Sequence, residues 1–247
     1  MVSGTSQTAA VSLSLLRSFE IRLDGNPVDV PFSAQRVVAF LGLNPGRLAR
    51  IFVAGHLWMD ASEERAAAAL RTALWRLGLP ASRLVRCDGQ LVSLDPAVEV
   101  DVVASARVAR SLLEDETSPI PVNALSHLRD AGELLPDWYD DWVVIERERH
   151  RQLRLHALEQ LSARLSADGR HAAATEAGLA AIASEPLRES AHRVLIAVHL
   201  AEGNCGEALR QYRVCCGLLD RDLKVGPSPA LQALVAPLLE VTTRLLS

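Results

Sequence analysis

The sequence predicts a mainly α chain, with a small N-terminal α+β domain followed by an all-α domain of helical repeats. Three observations predict it. Hydrophobic residues make up 49% of the 247 residues but aromatics only 4%, an alanine and leucine bias that favours helix over sheet. A cationic amphipathic stretch over residues 63–79 is followed at once by two short apolar runs around Asp88-Gly89. Further on, a glycine-closed helical turn recurs after 34 residues, at Asp168-Gly169 and again at Glu202-Gly203.

Taken in order, residues 1–10 have neither a charged start nor an apolar core, so no export signal is expected and the stretch reads as a loose end. Residues 11–30 hold short β-prone runs with Asp24-Gly25-Asn26 as a turn, which predicts an N-terminal antiparallel sheet. Ser33 is placed to cap a helix running to about Leu43, ended by Asn44-Pro45-Gly46. A second helix is expected from about Leu48 to Trp58, stopped by Met59-Asp60-Ala61-Ser62.

The helix from Glu63 to Leu79 carries Leu70, Leu74 and Leu77 at i, i+4, i+7, which predicts one buried stripe. At 100° per residue the opposite face carries Arg65, Ala68, Thr72, Trp75 and Arg76, with Arg71 on its flank. Those side chains suit a groove of DNA. Arg76 projects from the middle of the face and is the foremost candidate for a base or phosphate contact. Arg71 pairs equally well with Glu63 or Glu64, and Trp75 suits sugar or thymine methyl groups, or a neighbouring domain surface. A solvated surface helix accounts for the arginines alone, but not for an exposed tryptophan followed by a hairpin.

The hairpin spans Arg83 to Leu94, with Arg83 and Arg86 to serve its outer face. A helix followed by a basic hairpin is the layout of a winged helix, the helix in the major groove and the wing on backbone or minor groove. Arg47 and Arg50, near the start of the second helix, are candidate phosphate contacts. This domain is expected to cover residues 11–97.

Residues 98–247 read as almost pure helix. Asp101–Glu114 and Val122–Leu135 form the expected first pair, joined by the loop over 114–121. Trp138-Tyr139-Asp140-Asp141-Trp142 then leads into a long helix ending near Asp168-Gly169. Aligning 155–188 with 189–222 places Leu161 over Leu195, Ala163 over Ala197, Ala167 over Ala201 and Ala174 over Ala208. The spacing is the tetratricopeptide period, with small residues expected where helices cross closely. Pro186 and Tyr212 fill an expected repeat position in one copy only. Such hairpins stack because none buries its apolar face alone, leaving a groove for peptides or partner helices; a purely structural bundle is the other reading.

The net charge is −4, which excludes a wholesale nucleic-acid coat. The first 110 residues carry twelve arginines against ten carboxylates, the remainder fourteen basic against twenty acidic residues. DNA contact is therefore expected from the first part, through placement of arginines rather than bulk charge. Cys87, Cys205, Cys215 and Cys216 have no CxxC spacing and read as free thiols of a reducing cytoplasm. No apolar run is long enough to span a membrane, so a soluble, cytoplasmic, nucleoid-associated protein is expected.

An enzyme is not expected. The chain lacks GxxxxGK[ST], a GxGxxG after a strand, HExxH and GxSxG. His150 and His156, and His192 and His199, are not at the i, i+4 spacing that presents two metal ligands side by side. Asp140, Asp141, Glu146 and Glu148 are interleaved with Arg147, Arg149 and Arg151, a pattern for capping and ion pairs rather than acid–base work. Neither cofactor nor metal is expected.

Five stretches together resemble one family. They are Ala69-Leu-Arg-Thr-Ala-Leu-Trp-Arg-Leu77, Leu134-Leu-Pro-Asp-Trp-Tyr-Asp-Asp-Trp142 with Glu146-Arg-Glu-Arg149, Glu185-Pro-Leu-Arg-Glu189, Glu207-Ala-Leu-Arg-Gln-Tyr212 and Gly226-Pro-Ser-Pro-Ala-Leu231. Over about residues 11–240 the chain resembles the Streptomyces antibiotic regulatory proteins (AfsR/DnrI/RedD type), activators that join a winged helix to a bacterial transcriptional activation domain. The resemblance implies an OmpR-like winged helix with residues 63–78 in the major groove, and direct-repeat operators on which copies associate side by side. It also implies recruitment of RNA polymerase holoenzyme, through its sigma factor and alpha subunit, to secondary-metabolite genes. Where relatives continue Leu-Trp-Arg-Leu with a further basic residue, this chain has Gly78 and Leu79. Base readout then rests on Arg71, Trp75 and Arg76, with shape and phosphate contacts supplying the rest. Two other readings remain open at this point: a repeat-based interaction adaptor and a ligand-responsive regulator, each with weakened DNA binding.

Overall fold

The computed structural model describes residues 11–115 and 117–246; the expectation for residues 1–10 lies outside them. In chain order the elements are β1 (Val11–Ser14), β2 (Glu20–Leu23), β3 (Asn26–Pro27), α1 (Phe32–Leu43), β4 (Leu48–Ala49), α2 (Arg50–Leu57), α3 (Glu63–Arg76) and the short α4 (Gly78–Ala81). A 3₁₀ turn (Ser82–Leu84), β5 (Val85–Asp88), β6 (Leu91–Leu94), β7 (Val98–Val100), α5 (Asp101–Glu114) and α6 (Ala124–Arg129) follow. The rest is helical: α7 (Asp141–Ala167), α8 (His171–Ser184), α9 (Glu189–Ala201), α10 (Cys205–Leu223) and α11 (Pro229–Leu246).

Two compact units divide the chain: residues up to Ala104 with Gly132–His150, and Ser105–Ala131 with the chain from Arg151 on. Compactness therefore does not follow a single cut near residue 97. The segment 132–150 folds with the first unit because its backbone and aromatic rings complete that unit. Leu16 bridges to Leu134, and the Arg17 N–H donates to the Glu133 carbonyl at 2.7 Å. The Trp138 ring packs against Phe19 and Phe32, and Trp142 against Phe40.

In the first unit, β1 pairs antiparallel with β2 and parallel with β7, giving the sheet order β3-β2-β1-β7. Alternation sets its faces: paired Leu13 and Ile21 are buried, whereas Arg22 is exposed. A Cβ on Gly42 would meet Leu13 Cδ2 at 2.9 Å, so α1 crosses this sheet with only a hydrogen between them. The Asp101 carboxylate accepts from the N–H groups of Leu15 (2.9 Å), Leu16 (3.1 Å) and Val102 (2.6 Å), fixing the end of β1 at the start of α5. Burial pushes this carboxyl above its ordinary range despite those bonds. The Arg147 guanidinium donates to the carbonyls of Leu134, Leu135 and Trp138, which holds Leu135 at φ 41.

Three expectations for residues 33–135 change. Ser33 is not the cap of α1: Pro31 takes that position, and the buried Ser33 Oγ has no partner. Leu48 and Ala49 pair with Val92 and Leu91, so α2 begins only at Arg50. The helix expected over 122–135 shrinks to Ala124–Arg129, because Gly132 adopts φ +77 and Leu134 is drawn into its bridge with Leu16.

The second unit is wholly helical among the described residues, with Leu112, Leu128, Leu155, Leu158, Leu161 and Leu165 packed around Ala174, Ala177 and Ala181. Two turns in it match at 34 residues: Gly169 (φ +74) and Gly203 (φ +83) end their helices. The following N–H bonds back to Leu165 in one (2.9 Å, from Arg170) and to His199 in the other (2.8 Å, from Asn204). Burial repeats too: Leu161 and Leu195 are buried, as are Ala174 and Ala208. Ala163, Ala197, Ala167 and Ala201 are exposed in both copies, so only Ala174 and Ala208 serve close packing. A close approach lies at Gly178, where a Cβ would be 3.3 Å from Leu195 Cβ and 3.4 Å from Ser162 Oγ.

Candidate nucleic-acid interface

Helix α3 is amphipathic, and its buried stripe is Ala66, Leu70, Ala73 and Leu77. Leu74, expected in the stripe, is only partly buried, and the two alanines replace it. Small side chains at 66 and 73 let α3 approach α1 and α2, against both of which it packs. Glu63 and Glu64 lie in the first turn, where carboxylates complement the helix dipole. The helix stops where Gly78 turns to φ +59 and Leu79 leaves the helical region.

Orientation of α3 is fixed from α2. Arg36 on α1 donates to the Leu57 carbonyl at 2.6 Å, pairs with Asp140 at 2.6 Å, and lies 5.7 Å over the Trp58 ring. The turn closes through the Ala61 N–H to the Trp58 carbonyl, 3.1 Å, and Ser62 opens α3.

The opposite face is exposed and carries Arg65, Arg71, Thr72, Trp75 and Arg76 together. Trp75 is 81% exposed and Leu79, just past the helix, 88%. Among the described residues no ion pair engages Arg65, Arg71, Arg76 or Arg83, and neither Glu63 nor Glu64 pairs with Arg71. The Thr72 hydroxyl is turned inward, donating to the Ala68 carbonyl at 3.0 Å.

Behind α3, β4, β6 and β5 form a three-stranded antiparallel sheet, and the β5–β6 hairpin is the wing. Asp88 pairs with Leu91, so the two-residue loop is Gly89-Gln90 rather than Asp88-Gly89. Gly89 alone takes a positive φ, +55, as expected of the first central residue of a type II′ turn. The Arg50 N–H donates to the Gln90 carbonyl at 2.8 Å, tying the loop to the start of α2.

Two of the remaining candidates are paired within the protein. Arg47 pairs with Asp88, and Arg86 with Asp95 at 2.7 Å. The Ala97 N–H and the Arg86 guanidinium hold Asp95 below the usual carboxylate range. Arg50 is half-buried and its Nε has no partner. Arg83 is exposed on the 3₁₀ turn. Arg47 and Arg86 share a shallow depression of about 650 Å³ on the wing, whereas Arg50 and Arg71 line a groove of about 560 Å³ between α2, α3 and the loop. Sequence reasoning missed Asp88 and Asp95 as partners of these arginines, and Leu79 as an exposed apolar side chain.

Cys87 and Cys205 are exposed and Cys215 is buried, its thiol pushed up to about 12 by burial, Glu189 and Cys216. No helix of the described residues is long and apolar enough to cross a membrane.

The model of the bacterial transcriptional activator domain matches residues 103–239. Among solved structures, Mycobacterium tuberculosis EmbR in complex with a low affinity phosphopeptide is similar, with a TM-score of 0.72 and 21% identity. The match covers 94% of this chain and 65% of that one, so the chain spans less than two thirds of the EmbR length. At that identity the likeness establishes the fold. Comparison with curated proteins gave no match.

Proposed function

The chain belongs to the family of the bacterial transcriptional activator domain, and from that premise we propose that it activates transcription by binding promoter DNA through its first unit. In this reading α3 enters the major groove and the β5–β6 wing lies on the adjoining backbone or minor groove. Copies associate on direct repeats and recruit RNA polymerase holoenzyme, through sigma factor and alpha subunit, to secondary-metabolite genes. The helical unit, read as two tetratricopeptide-like hairpins, supplies the surface for protein contacts.

One observation carries the DNA reading: Arg65, Arg71 and Arg76 occupy a single exposed helix face with no carboxylate paired to them. Unpaired guanidinium groups around an exposed indole suit a polyanion with a stacked apolar interior. The same face on a merely solvated helix would be expected to pair with Glu63 or Glu64.

The test is selection of duplexes from a random-sequence library by the full chain, followed by titration of enriched and scrambled duplexes across a salt series. Enriched duplexes should bind at least about a thousandfold tighter than scrambled ones at physiological salt. Arg71→Ala with Arg76→Ala should lower the salt slope by about 1.8. Equal affinity for enriched and scrambled duplexes would overturn the reading, and binding of a partner protein unaffected by the double substitution would favour the adaptor.

A further inference from the structure

Opposite its buried stripe, α3 carries a second periodic one. Ala68, Thr72 and Trp75 recur at i, i+4, i+7, within about 60° of arc at 100° per residue. Arg65 and Arg76 flank this stripe on one side and Arg71 on the other, each about 50–70° from its centre. The stripe is mostly apolar: Thr72 has given its hydroxyl proton to the Ala68 carbonyl, which leaves its methyl exposed beside the Ala68 methyl and the indole ring, whose N–H is the one outward donor. Trp75 is 81% exposed. No Asn or Gln occurs in α3, and no carboxylate after Glu64, so the helix lacks the side chains that pair with adenine or accept from cytosine N4.

Width decides what each part meets. A helix about 10–12 Å across fills a major groove about 12 Å wide. The centre of its outer face then meets the base edges on the floor, and its flanks meet the phosphate walls.

Resting on the DNA-binding reading, we propose that the Ala68–Thr72–Trp75 stripe reads thymine through its C5-methyl group while Arg65, Arg71 and Arg76 grip the phosphates on either side. Apolar contact with the thymine methyl is the base-edge recognition that an alanine methyl, a threonine methyl and an indole ring supply. The guanidinium groups on both flanks favour a polyanion over a second copy of the chain as the occupant, because two such faces would repel.

The test uses the full chain and an enriched duplex in which each thymine is replaced in turn by uracil, which changes nothing but the methyl. Uracil at one or two positions should weaken binding about fourfold, the effect of one buried methyl. Cytosine at those positions should also weaken binding, and 5-methylcytosine should recover part of the loss. Trp75→Ala should bind thymine and uracil duplexes alike with an unchanged salt slope, and Trp75→Phe should keep part of the discrimination. Arg71→Ala should lower the salt slope by about 0.9 and keep the discrimination. Uracil tolerated at every position, discrimination that survives Trp75→Ala, or self-association lost in Trp75→Ala would each overturn the proposal while leaving DNA binding in place. Failure to enrich any sequence would overturn the DNA-binding reading and this one with it.

Discussion

Neutralising Asp88 tests whether the wing's cations are held off DNA by the protein's own carboxylates. Arg47 pairs with Asp88 beside the loop of the wing, with side chains 61% and 73% exposed. A pair this open is worth about 0–1 kcal/mol, so phosphate competes for Arg47 on nearly equal terms and each exchange gains little. Asp88→Asn removes the competitor and a negative charge next to the DNA, and it leaves the Gly89-Gln90 loop unaltered because Asn also suits the position before a hairpin glycine. Affinity for an enriched duplex should rise up to about fivefold near 0.1 M salt, and the slope of log K against log salt should steepen by about 0.9 as one more phosphate is neutralised. Fluorescence anisotropy titrations over several salt concentrations measure both quantities. In an Arg47→Ala background the same substitution should retain only the smaller, screened share that comes from the lost charge. Unchanged affinity and slope in Asp88→Asn, with Arg47→Ala also neutral, would refute the placement of the wing's loop end against DNA.

Asp101→Asn should destabilise the first unit by about 1–3 kcal/mol in urea unfolding, because an amide cannot accept from both the Leu15 and Leu16 N–H groups. Burial holds the Asp101 carboxyl above 3.8, so the folded chain binds this proton more tightly than the unfolded one. Its contribution to stability is then full below the unfolded value and is lost as pH rises through the window up to the folded value; Asp101→Asn should abolish that dependence. Arg147→Ala should cost on the order of 3 kcal/mol, since three carbonyls lose a charged donor, and limited proteolysis should then cut within residues 132–140. With its thiol pushed up to about 12, Cys215 should resist iodoacetamide at pH 8 while Cys87 and Cys205 react, and label only in denaturant, as peptide mass mapping would show.

Local signals made much of the fold legible. Asp24-Gly25-Asn26, the hairpin around Gly89 and the stop at Asn44 each act within a few residues, so sequence alone places them. The 34-residue period was visible because Gly169 and Gly203 are each forced to positive φ, a demand that few other residues meet. Contributions from far along the chain were not visible. Val122–Leu135 has good helical spacing, yet the Leu16 bridge removes its second half, and nothing near residue 130 announces a bridge partner more than a hundred residues earlier. Ser33 reads as a cap in isolation, but Pro31 with its fixed φ already starts the helix.

The candidate site divides along the same line. Which residues share the outer face of α3 follows from 100° per residue and was legible in the sequence; which arginines are free was not. Arg47 and Asp88 stand 41 residues apart and meet only because β4 pairs with β6. The most informative case is Gly78. Against the family pattern it reads as a missing basic contact, but its φ of +59 makes it the residue that ends α3. A basic side chain there would carry a Cβ into the left-handed region at a cost of about 1 kcal/mol or more, or would extend the helix by another turn. Ending α3 at Arg76 holds its 14 residues to just under four turns, with Trp75 and Arg76 in the last of them. Gly78→Arg should therefore not act as a simple gain of one phosphate contact: if the glycine's role is the turn, the variant loses stability and carries the Leu79 region into a new position, whereas a contact-only role predicts a steeper salt slope at unchanged melting temperature.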